Sequence, residues 1–114
     1  MTNPEIQLVD KVDPFLGAQG LIEAGKMYAG DTDPASYLVS PINGSLKGLA
    51  PITLFVGTHD ILVADCRKLK AKAETEGIAM DYREFEGMVH VWMLLELPES
   101  KQTKSEIADK IKRS

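Results

Sequence analysis

At 114 residues with 44% hydrophobic side chains, the sequence has enough apolar mass for one modest domain burying about two thirds of its unfolded surface, and too much for a disordered chain. Thirteen basic and seventeen acidic residues leave a net charge of -4 with no long basic block, which excludes the electrostatic footprint of a nucleic-acid binder. No run approaches the ~20 apolar residues of a membrane span, and the polar start Met1-Thr2-Asn3-Pro4-Glu5 lacks the regions of a signal peptide, so a soluble cytoplasmic protein is expected.

Along the chain, residues 1–18 carry Pro4, Asp13-Pro14 and Gly17 without a sustained period, and are expected to be irregular or briefly helical. Leu21, Ala24 and Tyr28 then recur at helical spacing beside Ile22, with Gly30 as the stop. Asp31-Thr32-Asp33-Pro34 and Ser40-Pro41-Ile42-Asn43-Gly44 are turn chemistry, so residues 31–50 read mostly as loop. Ile52-Thr53-Leu54-Phe55-Val56 is the near-continuous apolar run of a strand buried on both faces, expected to be central in a parallel sheet. Leu62, Cys66, Leu69 and Ala73 form a helical stripe, with Arg67, Lys68, Lys70 and Lys72 mostly off it and Gly77 at its end.

A second strand is expected over Ile78 to Phe85, with Met80 and Tyr82 on one side, Asp81 and Arg83 on the other, and charges that suit a position nearer a sheet edge. After His90 come Val91 to Leu95, Pro98 and a helix from about Glu99 to Lys112, whose Lys110, Lys112 and Arg113 suit its C-terminal dipole. The class is therefore α/β. Residues 1–50 form a helix-and-loop lead-in, and residues 51–114 a βαβα unit with two parallel strands, together one partial domain.

Asp60 follows the first strand and His90 the second, so a parallel arrangement brings both to the carboxyl edge of the sheet, where open α/β folds place their chemistry. An acid that accepts a hydrogen bond from the Nδ1–H of an imidazole, and an imidazole that takes a proton from serine, are two members of a hydrolytic triad. Nothing upstream of Asp60 reads G-x-S-x-G, the turn that exposes a nucleophilic serine. Ser36, Ser40, Ser45, Ser100, Ser105 and Ser114 all lack such a turn, and no Gly-rich phosphate loop follows a strand, since Gly17, Gly20 and Gly25 stand outside that order.

Blander roles compete at each position. Asp60 precedes a helix and suits an N-cap, Asp65 is a rival acid one turn into that helix, and His90 suits a satisfied structural histidine beside an apolar run. His59 next to Asp60 suggests a metal pair, yet zinc takes three or four protein ligands and the other histidine, His90, is 31 residues away. His59 is expected to be a solvent-facing loop residue, and no metal or cofactor is expected. Trp92 and Met93 read as core. The single Cys66 can form no internal disulfide, suits a reducing compartment, and reads as a small buried apolar residue.

Asp33-Pro34, Ser40-Pro41, Gly57-Thr58-His59-Asp60-Ile61-Leu62, Asp65 with Arg67, and Gly87-Met88-Val89-His90-Val91-Trp92 occur in an order that resembles the C-terminal part of hormone-sensitive-lipase-like α/β-hydrolases, over most of residues 13–113. The resemblance implies a carboxylesterase or lipase acting on a small-molecule ester. It makes Asp60 and His90 the acid and histidine of the triad and places Leu38 to Ile42 on the substrate side. Ile61 stands where many relatives have proline, and Val91-Trp92 where many have Gly-Phe. The serine elbow and the H-G-G oxyanion segment, which the family carries earlier in its chain, are both missing. The fragment itself is therefore expected to be inactive and to self-associate through an exposed strand edge. The alternative is a free-standing, non-catalytic binding or dimerisation module, and a related peptidase parent shares the same triad order.

Overall fold

The structure is a computed structural model, and it describes residues 3–113. In chain order, a single turn of helix α1 (Ile6–Val9) and helix α2 (Ala18–Ala29) precede a loop containing one 3-10 turn at Pro41–Asn43. Strand β1 (Ile52–His59), helix α3 (Val63–Thr75), strand β2 (Met80–Val89), a second 3-10 turn at Trp92–Leu94 and helix α4 (Pro98–Arg113) follow. β1 and β2 pair in parallel from Ile52 opposite Met80 onward, which makes the second half the βαβα unit that its alternating strand and helix patterns predict.

α3 stops where Gly77 was expected to end it: the Gly77 N–H returns to the Glu74 carbonyl and the Ile78 N–H to the Ala73 carbonyl at 2.8 Å, the paired bonds of a Schellman cap. Those bonds occupy Ile78, so β2 begins at Met80 rather than at Ile78. It also runs four residues past Phe85, through a bulge that the alternation did not reveal.

The two faces of β2 separate as expected. Tyr82 and Glu84 meet α3, where the Arg67 guanidinium pairs with Glu84 and Lys70 lies over the Tyr82 ring. Asp81 and Arg83 meet α4, Lys110 bonding Asp81 at 2.6 Å and Arg83 pairing with Glu106. Two elements with little apolar surface of their own are thereby fastened by charge to opposite faces of one ribbon.

Two expectations fail for a shared reason. β1 is not buried on both faces: Val56 and Gly57 are buried, while Ile52, Leu54 and Phe55 are half-buried and Thr53 is exposed. With only two strands in the sheet, β1 is itself an edge. On α2, Ala24 is exposed and Tyr28 is 77% exposed, whereas Ala18 and Ala29 are buried. α2 meets the core cluster through Ala18 and Leu21 in its first half, so the later part of the apolar stripe, Ala24 and Tyr28, stays exposed.

The main core cluster joins Ile6 of α1, Ala18 of α2, Ile61 and Ala64, with Leu16, Leu21 and Leu62 against it. It lies directly beneath the turn that follows β1. The lead-in thus packs under the part of the chain that carries Asp60. Trp92 is buried as expected, its ring 4.6 Å from that of Phe85, while Met93 is half-buried. Among the described residues no helix is long and apolar enough to cross a membrane.

Candidate active site

β1 turns at Asp60 into α3, and β2 delivers His90 one residue beyond its end. Because the strands are parallel, both side chains leave the same edge of the sheet. His90 Nδ1 lies 3.0 Å from Asp60 Oδ2. In the Nδ1–H tautomer the ring donates to the carboxylate, and Nε2 is the nitrogen that can accept a proton. The Asp60 side chain is 9% exposed and that of His90 29%, so the acid is secluded while the imidazole stays reachable.

Asp60 Oδ1 accepts the Leu62 N–H at 2.9 Å, at the start of α3. The N-cap of α3 is Leu62 rather than Asp60, whose Oδ1 instead closes the turn before the helix while Oδ2 faces the histidine. Asp65, the rival acid, instead accepts a hydrogen bond from the Asn3 side chain at 3.2 Å.

The backbone around this pair is unusually constrained. From Gly57 to His59 β1 advances two residues, while β2 advances four, from Phe85 to Val89. The bulge brings the two chains so close that a Cβ on Gly57 would stand 2.0 Å from the Met88 carbonyl oxygen, which requires glycine there. Within the bulge Gly87 adopts φ 72°, and its N–H donates to the Thr58 hydroxyl at 2.8 Å. Thr58 thereby ties the bulged segment to β1 and fixes where His90 leaves the sheet.

Val91, directly after His90, sits at φ 47°, ψ 31°. It is the one non-glycine residue at positive φ among those described. A β-branched side chain there costs about 1–2 kcal/mol. Val91→Gly is therefore expected to raise stability by about 1 kcal/mol after glycine's own entropic cost, seen as a melting temperature higher by a few degrees.

Asp13, in the segment read as irregular or briefly helical, reaches this site across 48 residues: its Oδ2 accepts the Ile61 N–H at 2.7 Å. Its Oδ1 accepts the Phe15 and Leu16 N–H groups at 2.8 and 2.9 Å. Burial works to raise the Asp13 pKa, but the three backbone donors, joined by the charge of nearby His90, overcome it and hold the carboxyl below its usual 3.8. Glu84 is held low by its hydrogen bonds from Arg67, against burial, and with help from Tyr82. Carboxyls depressed in the fold stabilise it fully above their unfolded pKa and lose that contribution as pH falls through the folded value. Acid unfolding, followed by circular dichroism, is therefore expected below about pH 4, and Asp13→Asn should flatten the decline.

A cavity of about 180 Å³ opens beside the pair, lined by Asp60, His90, Leu62, Cys66, Val91 to Met93 and the successive β1 residues Leu54 to Val56. Three consecutive strand residues cannot share one face, so this cavity follows the backbone edge of β1. Burial pushes the Cys66 thiol up to about 11, and Asp60, Asp65 and Glu84 reinforce the shift, which keeps the sulfur protonated and unreactive. Among the described residues no serine lines this cavity; Ser40, Ser45 and Ser100 donate to the Pro34 carbonyl, Glu76 and the Trp92 carbonyl. Among the described residues no three His, Cys, Asp or Glu side chains cluster as metal ligands.

A sequence profile of the alpha/beta hydrolase fold matches residues 1–94. An acetyl-hydrolase of Streptomyces hygroscopicus is 35% identical over 78 residues, 68% of this chain and 26% of that protein. An esterase of Acinetobacter venetianus is 29% identical over 112 residues, 96% of this chain and 37% of that protein. Among solved structures, an esterase from the bacterial hormone-sensitive lipase family superposes with TM-score 0.90 at 28% identity, over 98% of this chain and 38% of that one. The chain thus spans between about a quarter and little more than a third of the length of these relatives. The profile match over most of its residues, on a parallel βαβα frame with the acid and histidine at one edge, makes this chain a member of the α/β-hydrolase fold family.

Proposed function

We propose that this chain is the C-terminal, acid-and-histidine portion of a serine carboxylesterase or lipase. The observation that carries the reading is the 3.0 Å contact between Asp60 Oδ2 and His90 Nδ1 at the carboxyl edge of the sheet. In the intact hydrolase His90 Nε2 takes the proton of a serine hydroxyl as the oxygen attacks the ester carbonyl, and Asp60 stabilises the imidazolium that forms. His90 then returns the proton to the departing alkoxide, and water releases the acyl group by the same route. Protein side chains suffice for these steps, so the reaction needs no cofactor, and the substrate is a small-molecule ester met in the cytoplasm. The family membership and the esterase and acetyl-hydrolase names of the relatives support this assignment.

Residues 1–114 alone carry neither a nucleophile elbow nor an oxyanion segment. The purified chain is expected to hydrolyse a short-chain p-nitrophenyl ester at the rate of buffer. Hydrolysis that His90→Ala abolishes would overturn that expectation and place a working nucleophile inside these residues.

The unpaired edge of β1 and the exposed Met27 and Tyr28 of α2 favour a second reading, a non-catalytic module that pairs with a partner or a second copy. Both readings expect self-association in isolation. Unfolding separates them: a module should melt in one cooperative transition, whereas an excised portion should be marginal or held together by association.

A further inference from the structure

We propose that Asp13 is a positioning residue for the Asp60–His90 pair, its carboxylate holding the backbone of the Asp60 turn so that Asp60 Oδ2 stays directed at His90. The inference rests on the reading of Asp60 and His90 as acid and base, and it adds to them a second acid from the lead-in.

Two consecutive N–H groups in the turn are each held by a carboxylate: that of Ile61 by Asp13 Oδ2 at 2.7 Å, and that of Leu62 by Asp60 Oδ1 at 2.9 Å. Ile61 is fully buried within the core cluster, so its N–H has no water to turn to. Without Asp13, the carboxylate nearest in sequence is that of Asp60 itself. Satisfying Ile61 would then draw Asp60 away from His90. Asp13 is rigid enough for this task because its other oxygen is fixed by Phe15 and Leu16. The clamp also needs an N–H at position 61, which Ile61 supplies and a proline there could not.

The test is the imidazole tautomer of His90 in the full chain, read from ¹⁵N shifts at a pH where the ring is neutral. Wild type is expected to hold the Nδ1–H form. Asp13→Asn keeps the side-chain shape but loses one acceptor oxygen, and is expected to lower the ratio of Nδ1–H to Nε2–H by about tenfold, with backbone dispersion retained. Asp13→Ala should lower it at least as far; where that variant does not fold, Asp13→Asn decides. A purely structural Asp13 would change stability and leave the ratio alone. Asp60→Asn separates the two readings. If it shifts the tautomer and the Asp13 variants do not, the positioning role is overturned and the acid–base reading stands. If Asp60→Asn leaves His90 unchanged, the acid–base reading fails and takes this inference with it.

Discussion

Asp60→Asn in the intact hydrolase is expected to lower kcat on the order of 10⁴-fold with little change in KM. The aspartate oxygen now 3.0 Å from His90 Nδ1 accepts a hydrogen bond from its N–H. An asparagine amide presented there instead donates, which favours the tautomer whose Nε2 already carries hydrogen and cannot take one from serine. The oxygen that holds Leu62 survives the substitution, so the start of α3 and the fold are retained. His90→Ala is expected to cost at least as much, on the order of 10⁴- to 10⁶-fold. Single-turnover kinetics on a p-nitrophenyl ester would locate both losses in acyl transfer; a variant whose KM rises while kcat holds would show that the residue binds substrate instead.

Gly57→Ala should be the most damaging single methyl group in the chain. The added Cβ meets backbone, the Met88 carbonyl oxygen at 2.0 Å and its carbon at 2.3 Å, rather than a side chain that can rotate away. Relief requires separating β1 from the bulge of β2, which also breaks the Thr58–Gly87 bond and moves His90. A loss of about 3 kcal/mol or more is expected, equivalent to about 10 °C or more in melting temperature. Thermal denaturation of the variant measures it, and an unchanged melt would mean that the strands approach less closely than described.

How far such features could be read in advance depended on whether their cause was local. The βαβα order, the stop at Gly77 and the separation of Asp81 and Arg83 from Tyr82 follow from periodicity and capping, which act over a few residues. The pairing of Asp60 with His90 was legible because parallel strands oblige both to leave one edge. Asp13 was not, because its partner lies 48 residues away and its own segment shows no sustained period. The bulge was hidden as well: Gly87 marks it, but only the pairing register shows four residues of β2 spanning two of β1. The apolar runs of β1 and α2 overstated burial, since a run records what a segment can bury against, and these residues supply only two strands and one core cluster.

The central claim is that His90, oriented by Asp60, activates a serine lying outside these residues. Labelling with a fluorophosphonate that reacts only with activated serines, on the complete open reading frame containing this chain, tests it most directly. Mass spectrometry is expected to find the label on a G-x-S-x-G serine N-terminal to residue 1, lost in His90→Ala, with purified 1–114 unlabelled. A label on any serine within 1–114, or one that persists after His90→Ala, would contradict it.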